Sequence, residues 1–98
     1  MKKFVKLIST TVNDLPCGGI SVIYHTTEIF RIEGCILTLR HGEWKTVSIR
    51  RRINYFLREC NTGYMVFQRA YQQWVRTPSG SDVSFLDGIT FRLERGLP

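Results

Sequence analysis

Two histidines and three cysteines are the residues of this sequence that could ligate a metal ion. Zinc sites usually take ligand pairs two to four residues apart, and no pair here has that spacing. Buried structural cysteine is the better interpretation of thiols spread in this way. We therefore expect no metal and no other cofactor. The residues concerned are Cys17, His25, Cys35, His41 and Cys60.

Catalytic patterns are also missing from the sequence. The carboxylates are scattered, and no local motif pairs a cysteine with a histidine. Cys17-Gly18-Gly19 lacks the lysine that follows a phosphate-binding glycine loop. The sequence thus predicts a protein that is not an enzyme.

The notable polar group is a set of arginines between residues 48 and 76, which holds six of the fourteen Lys and Arg residues. Arginine forms bidentate bonds with phosphate and carboxylate alike, so this set favours an acidic partner. The alternative is a solvated basic face over an ordinary core. The predicted partner-binding residues are Arg50, Arg51, Arg52, Tyr55, Arg58, Arg69 and Arg76.

A first helix is predicted from about Ser48 to Cys60. Its apolar residues follow the spacing of one helical face, which turns Arg51, Tyr55 and Arg58 away from the core. Ser48 is the expected N-cap, with Thr46 as the alternative. Gly63 is expected to end the helix, where a left-handed backbone is needed.

A second helix is predicted from Asn61 or Thr62 to Arg76, because apolar residues at 67, 70, 71, 74 and 75 again repeat with helical spacing. Residues 64–67 taken alone would suit a strand, so the start is less defined. Trp74 is assigned to the core. Two adjacent helices invite a helix-turn-helix interpretation, but the second is dominated by bulky aromatics, which favours protein contact over DNA.

The rest of the chain predicts strands and turns. Asp87-Gly88 between two apolar runs is the strongest hairpin signal, since this dipeptide suits a type I′ turn. A strand is expected over 4–12, and a hairpin is expected to join 35–40 to 43–47 through His41-Gly42. We predict an α+β fold: one domain over 1–98, with antiparallel hairpins or a sheet packed with two short helices.

Charge and composition limit the kinds of partner that the protein is expected to bind. A net charge of +6 favours nucleic acid or an acidic protein surface. No apolar run is long enough to span a bilayer, so no membrane partner is expected. Lys6 interrupts the apolar run near the N-terminus, so export is not expected, and an odd number of cysteines fits a reducing cytoplasm.

The loop around Leu15-Pro16 adds one further candidate partner. An exposed peptide bond before proline in a flexible loop can populate the cis isomer. A host prolyl isomerase is therefore a candidate partner at Pro16, with an inert loop as the alternative.

A short basic chain that runs from Met1-Lys2-Lys3-Phe4-Val5-Lys6 through Arg50-Arg51-Arg52 to Arg92-Leu93-Glu94-Arg95-Gly96-Leu97-Pro98 resembles accessory proteins of temperate lambdoid phages. In length and overall sequence it is similar to the anti-RecBCD proteins of the Abc type, from phage P22. The resemblance covers the whole chain and rests on no motif, so it transfers no family residue.

The resemblance implies a non-enzymatic modulator in the cytoplasm of a bacterial host. Such a protein would bind the RecBCD helicase–nuclease through its RecC subunit, alter its response to Chi and favour phage recombination. The alternative is a small basic DNA-binding protein or regulator that uses the 48–76 helical pair.

Overall fold

The computed structural model describes residues 4–16, 18–42 and 46–94. These residues form a five-stranded antiparallel sheet, a three-stranded antiparallel sheet and one α-helix. In chain order the elements are β1 (Thr10–Asp14), β2 (Ile20–Tyr24), β3 (Thr27–Glu33), β4 (Ile36–Leu39), α1 (Val47–Glu59), β5 (Met65–Arg69), β6 (Gln72–Arg76), β7 (Asp82–Ser84) and β8 (Ile89–Arg92).

The larger sheet has the strand order β1-β2-β3-β4-β8. The register of β2 on β3 shifts after Val22, which pairs with Phe30, while the next residue, Ile23, pairs with Glu28. Ile29 is therefore the extra residue of a bulge, and this allows both Ile29 and Phe30 to be buried in succession. The bulge thus adds a large apolar side chain to the core.

Helix α1 begins after Thr46, whose side chain accepts a hydrogen bond from the backbone N–H of Ile49. The N-cap is therefore Thr46, the alternative, and the expectation that Ser48 caps the helix is wrong. The helix ends in a Schellman motif, with the N–H of Thr62 bonded to the carbonyl of Leu57 and Asn61 at a φ of 53°. Asn61, and not Gly63, supplies the left-handed residue that ends it.

The predicted second helix does not exist. Residues 65–69 and 72–76 form the antiparallel hairpin β5–β6, joined by a two-residue turn in which Ala70 and Tyr71 both have positive φ. The apolar residues here have helical spacing, which would gather 67, 71, 74 and 75 on one side of a helix. In the hairpin, Val66 and Val75 are paired and buried on the inward side, whereas Phe67 and Trp74 lie on the other side. The fold is thus mostly β, with one helix instead of the two expected.

The Asp87-Gly88 turn forms, but it does not make a hairpin. Strand β7 pairs with β6 in the smaller sheet, and β8 pairs with β4 in the larger one. Asp87 lacks the positive φ that a type I′ turn requires; instead its carboxylate accepts from the backbone N–H groups of His41 and Gly42, at 2.9 and 3.0 Å. The turn therefore carries the chain from one sheet to the other.

Two further strand predictions need correction. The first strand occupies 10–14, and residues 4–7 have no regular structure. The hairpin expected to join 35–40 to 43–47 cannot form. β4 already pairs with β3 at one edge and with β8 at the other, and Val47 belongs to the helix. Glu43, Trp44 and Lys45, which were part of that expectation, lie outside the described residues.

One core is shared by both sheets and the helix. The helix contributes Ile49, Ile53, Phe56 and Leu57, whose side chains are at most 3 % exposed. The two sheets supply the other members of the same cluster, from both the β2–β4 region and the β5–β6 hairpin. The smaller sheet is therefore held by its inward face and by α1, and its other face is turned outward.

Candidate functional site

The seven residues predicted to bind a partner lie on two different elements. Five of them are on α1, Arg69 is on β5 and Arg76 is on β6. Because residues 65–76 form a hairpin and not a helix, they do not make one continuous helical surface. The structure gives each group a different role.

Arg52 holds the first residue of β1 and the segment before it against the helix. Its Nε donates to Thr10 Oγ1 at 2.9 Å and its Nη2 donates to the carbonyl of Ile8 at 3.1 Å. The guanidinium also lies 4.1 Å from the centre of the Tyr24 ring. A side chain engaged by three neighbours in this way has a structural role in the free protein.

Tyr55 and Arg50 are engaged as well. The Tyr55 hydroxyl accepts a hydrogen bond from the backbone N–H of Val5 at 2.7 Å, and its ring packs edge-on against Phe56. The expectation that Tyr55 points away from the core is therefore wrong. Arg50 donates to the buried side chain of Gln73 at 3.1 Å, which links α1 to β6.

Arg51 and Arg58 are the exposed members of the helical group, and we call this pair the helical surface. Within the part of the chain that the structure describes, neither side chain forms a hydrogen bond or an ion pair. They are seven residues apart, which places them on the same side of the helix and about 10 Å apart along its axis. Their charges are thus available to another molecule.

The outward side of the smaller sheet carries a second group, which we call the aromatic–arginine face. Phe67 is directly opposite Trp74 in the β5–β6 register, and Arg76 is directly opposite Asp82 in the β6–β7 register. Alternation along the strands places these residues, with Arg69, on one side of the sheet. Both rings are half-buried.

The two arginines lie over the two aromatic rings. Arg76 is 4.7 Å from the centre of the Phe67 ring, and Arg69 is 4.9 Å from that of Trp74 and 5.6 Å from that of Phe67. These distances fall within the range of cation–π attraction. The Trp74 indole also donates to the carbonyl of Arg69 at 3.4 Å. Trp74 therefore belongs to the outward face, and its assignment to the core is wrong.

Asp82 fixes both guanidinium groups. Its carboxylate accepts from Arg76 at 2.8 and 3.2 Å and from Arg69 at 3.3 Å, and its side chain is only 19 % exposed. The hydrogen bonds from Arg76 hold the pKa of Asp82 below its usual value, more strongly than partial burial raises it, and the charge of Arg69 adds to the effect. The same pairing raises the pKa of Arg76. Two positive charges and one negative charge leave this face net positive.

Sequence reasoning identified the two arginines of this face but not its rings. The sequence gives little local signal for the rings, because neither 65–69 nor 72–76 alternates polar and apolar residues. The stretch 64–67 already suited a strand. Helical spacing over 67–75 competed with that strand signal and led to the wrong prediction of a second helix.

Neither a metal site nor a membrane-spanning helix finds geometric support in the described residues. In 4–16, 18–42 and 46–94, no three His, Cys, Asp or Glu side chains gather in a way that could hold a metal ion. In the same ranges, no helix has the length and apolar character needed to cross a membrane. The Leu15-Pro16 bond is trans.

Comparison with known families adds a relationship across nearly the whole sequence. The family model described as Kyanoviridae Gp96 protein matches residues 2–92. The chain belongs to the Kyanoviridae Gp96 family. It is a phage protein, as the sequence suggested. No curated protein and no solved structure matches it.

Membership of the Gp96 family corrects the earlier resemblance. The similarity to anti-RecBCD proteins of the Abc type is wrong, because the match over residues 2–92 is to a different phage protein family. That resemblance rested on length, basic character and overall sequence, which small phage proteins of unrelated families can share. The two surfaces of this Gp96 protein must therefore be interpreted from their own chemistry.

Proposed function

We propose that this Gp96 protein is a non-enzymatic binding protein that acts in the cytoplasm of the infected host cell. It contacts an acidic surface of another protein through Arg51 and Arg58. The observation that supports the proposal is that both guanidinium groups are exposed on one side of a rigid helix and have no partner among the described residues.

Electrostatics supports this role. The chain has a net charge of +6, so an acidic partner would be attracted before contact is made. Complementary charges at an interface chiefly raise the association rate and select the partner. Arginine also offers a planar set of donors that matches a carboxylate. A rigid helix would present the two arginines with little loss of backbone entropy on binding.

Duplex DNA is a weaker candidate for the same surface. The helix-turn-helix interpretation required a second helix over 62–76 to enter the major groove, and those residues form strands. A protein partner needs no such element. RecBCD was suggested as a partner by the resemblance to the Abc type, which is wrong, so RecBCD stays a prediction without that support. The proposal therefore defines the partner only as an acidic protein.

Co-purification tests this proposal. The tagged protein is incubated with host lysate after complete nuclease digestion, and the retained proteins are identified. The charge-reversed variant Arg51→Glu/Arg58→Glu should retain the partner at least tenfold more weakly, because attraction becomes repulsion. The control is Lys6→Glu/Arg92→Glu, which makes the same change in net charge at two other exposed positions.

The helical variant and the control variant are compared for their retention of the partner. Loss of the partner in the helical variant and its retention in the control would support the helical surface. Equal retention of the partner by both variants, or no protein retained from the nuclease-digested lysate, would contradict the proposal. Circular dichroism of both variants would establish that the fold is intact.

A further inference from the structure

We propose that the aromatic–arginine face binds single-stranded nucleic acid, with two or three nucleotides lying across β5 and β6. This function is separate from protein contact through the helical surface and rests on different residues. The inference follows from the arrangement of the two rings, the size of the face and the remaining hydrogen-bond donors of the two arginines.

The rings are placed for base stacking. Phe67 and Trp74 are cross-strand neighbours, and both retain exposed area on the outward side of the sheet. Unpaired bases stack on aromatic side chains of sheet surfaces, and they also stack on guanidinium planes. Here Arg76 and Arg69 lie over the rings, so a base can stack on a guanidinium or displace it and stack on the ring below.

The size of the face favours a short single strand over a protein. Strands of five residues extend about 17 Å at about 3.3 Å per residue, and three strands span about 10 Å between the outer two. The face therefore covers on the order of 200 Å². A stable protein interface takes about 800 Å² from each partner, several times more. A run of two or three nucleotides needs no larger platform.

The charge of the face suits a phosphate backbone. Asp82 occupies Nε and Nη2 of Arg76 and Nη1 of Arg69. Nη1 of Arg76, and Nε and Nη2 of Arg69, have no hydrogen-bond acceptor among the described residues, so they can donate to phosphate oxygens. At the hairpin tip next to Arg69, Tyr71 is 95 % exposed and offers one more ring to a following base.

Fluorescence anisotropy with labelled ten-nucleotide dT and rU strands, and with a ten-base-pair DNA duplex, tests the inference. The protein should bind one or both single strands, and bind the duplex at least tenfold more weakly. Phe67→Leu/Trp74→Leu should weaken single-strand binding by tenfold or more, since stacking on each ring contributes substantially to affinity. Phe67→Tyr/Trp74→Phe keeps both rings and should restore most of the binding.

Three further variants test this face and separate it from the helical surface. Leu86→Ala removes an exposed apolar side chain elsewhere and should leave binding unchanged. Asp82→Asn frees arginine donors and removes a negative charge, and should raise single-strand affinity severalfold. Arg51→Glu/Arg58→Glu should still show the difference between the leucine and the ring-retaining variants.

Three results would overturn the inference: no binding of either single strand by the wild-type protein, binding of the duplex as tight as that of the single strands or tighter, or equal binding by the leucine and ring-retaining variants. If neither single strand binds and the leucine variant loses a protein partner, the face is a protein-docking surface. Failure of the co-purification test leaves the anisotropy prediction unaffected, so the two proposals fail independently.

Discussion

The side-chain amide of Asn54 pairs with both backbone groups of Val66. Its Nδ2 donates to the Val66 carbonyl and its Oδ1 accepts from the Val66 N–H, each at 2.8 Å. β5 is an edge strand, and this contact gives Val66 the two hydrogen bonds that a neighbouring strand would otherwise provide. The helix is thereby joined to the smaller sheet at a defined residue.

Asn54→Ala should lower the free energy of unfolding by about 2–3 kcal/mol, because it leaves the N–H and carbonyl of Val66 without partners in a partly buried position. Urea denaturation followed by circular dichroism measures this change. Asn13→Ala, at an exposed position of β1, is the control and should change stability by less than about 0.5 kcal/mol. Equal effects of the two substitutions would show that the Asn54 contact adds no stability.

Gly19→Ala should prevent stable folding or cost at least about 3 kcal/mol. A Cβ at Gly19 would lie 1.8 Å from the backbone carbonyl oxygen of Ile32, and neither backbone can move without disturbing the β2–β3 pairing. The thermal unfolding midpoint measures the effect.

Gly34→Ala is the matched control for this prediction. A Cβ there meets no atom within 4 Å, so only its positive φ of 61° costs energy, about 1 kcal/mol. A variant at Gly19 as stable as the one at Gly34 would contradict the close approach of β2 and β3.

The turn Ala70-Tyr71 should be stabilised by the substitution Ala70→Asn/Tyr71→Gly. Both residues have positive φ, at 52° and 66°, which costs ordinary side chains about 1–2 kcal/mol each. Asn-Gly is the sequence that such a two-residue hairpin turn prefers, so we expect a gain of about 1–2 kcal/mol in urea denaturation. No gain would contradict the prediction and show that positive φ at these two positions has no measurable cost.

Acid stability should depend on Asp82. Its pKa is lowered in the folded state, chiefly by the hydrogen bonds from Arg76, so the carboxylate stabilises the folded protein above the ordinary aspartate pKa of 3.8. That contribution is lost as the pH falls through the lowered value. The stability difference between wild type and Asp82→Asn should thus be largest near neutral pH and shrink below about pH 4.

Urea midpoints measured from pH 2 to pH 7 test this dependence. Arg76→Gln removes the main cause of the lowered pKa and should abolish most of the difference between Asp82 and Asn at position 82. A difference that stays constant over the whole range would show that Asp82 acts by shape or hydrogen bonding alone.

The parts of the fold that local patterns specify could be predicted from the sequence. The apolar spacing of α1 identified its core residues, and β-branched runs identified β2 and β3. What failed depended on distant contacts. Residues 67–75 have helical spacing and no alternation of polar and apolar residues, and the packing of Val66 and Val75 against the core, which no local pattern shows, favours two strands. Likewise, Asp87-Gly88 predicted a turn, but the partner of each flanking strand lay elsewhere in the chain.

The candidate site shows the same difference between features set by local sequence patterns and features set by distant contacts. Arginines were predicted as contact residues from their number and proximity, yet the sequence does not show that Arg52 and Tyr55 are held by the segment before β1. Nor does it show that Asp82, on a later strand, comes to lie between Arg69 and Arg76. Those relationships arise only when separate strands align in register.

The passage of the chain from β7 to β8 bears on how the protein is made. β4 ends at Leu39, and its partner β8 begins at Ile89, so about fifty residues must be translated before that edge can be covered. At about 5–20 residues per second, the nascent chain carries an open, apolar strand edge for several seconds. During that interval the edge is open to aggregation and to chaperones, and it closes only after the strand that follows Asp87-Gly88 has been made and has left the ribosome.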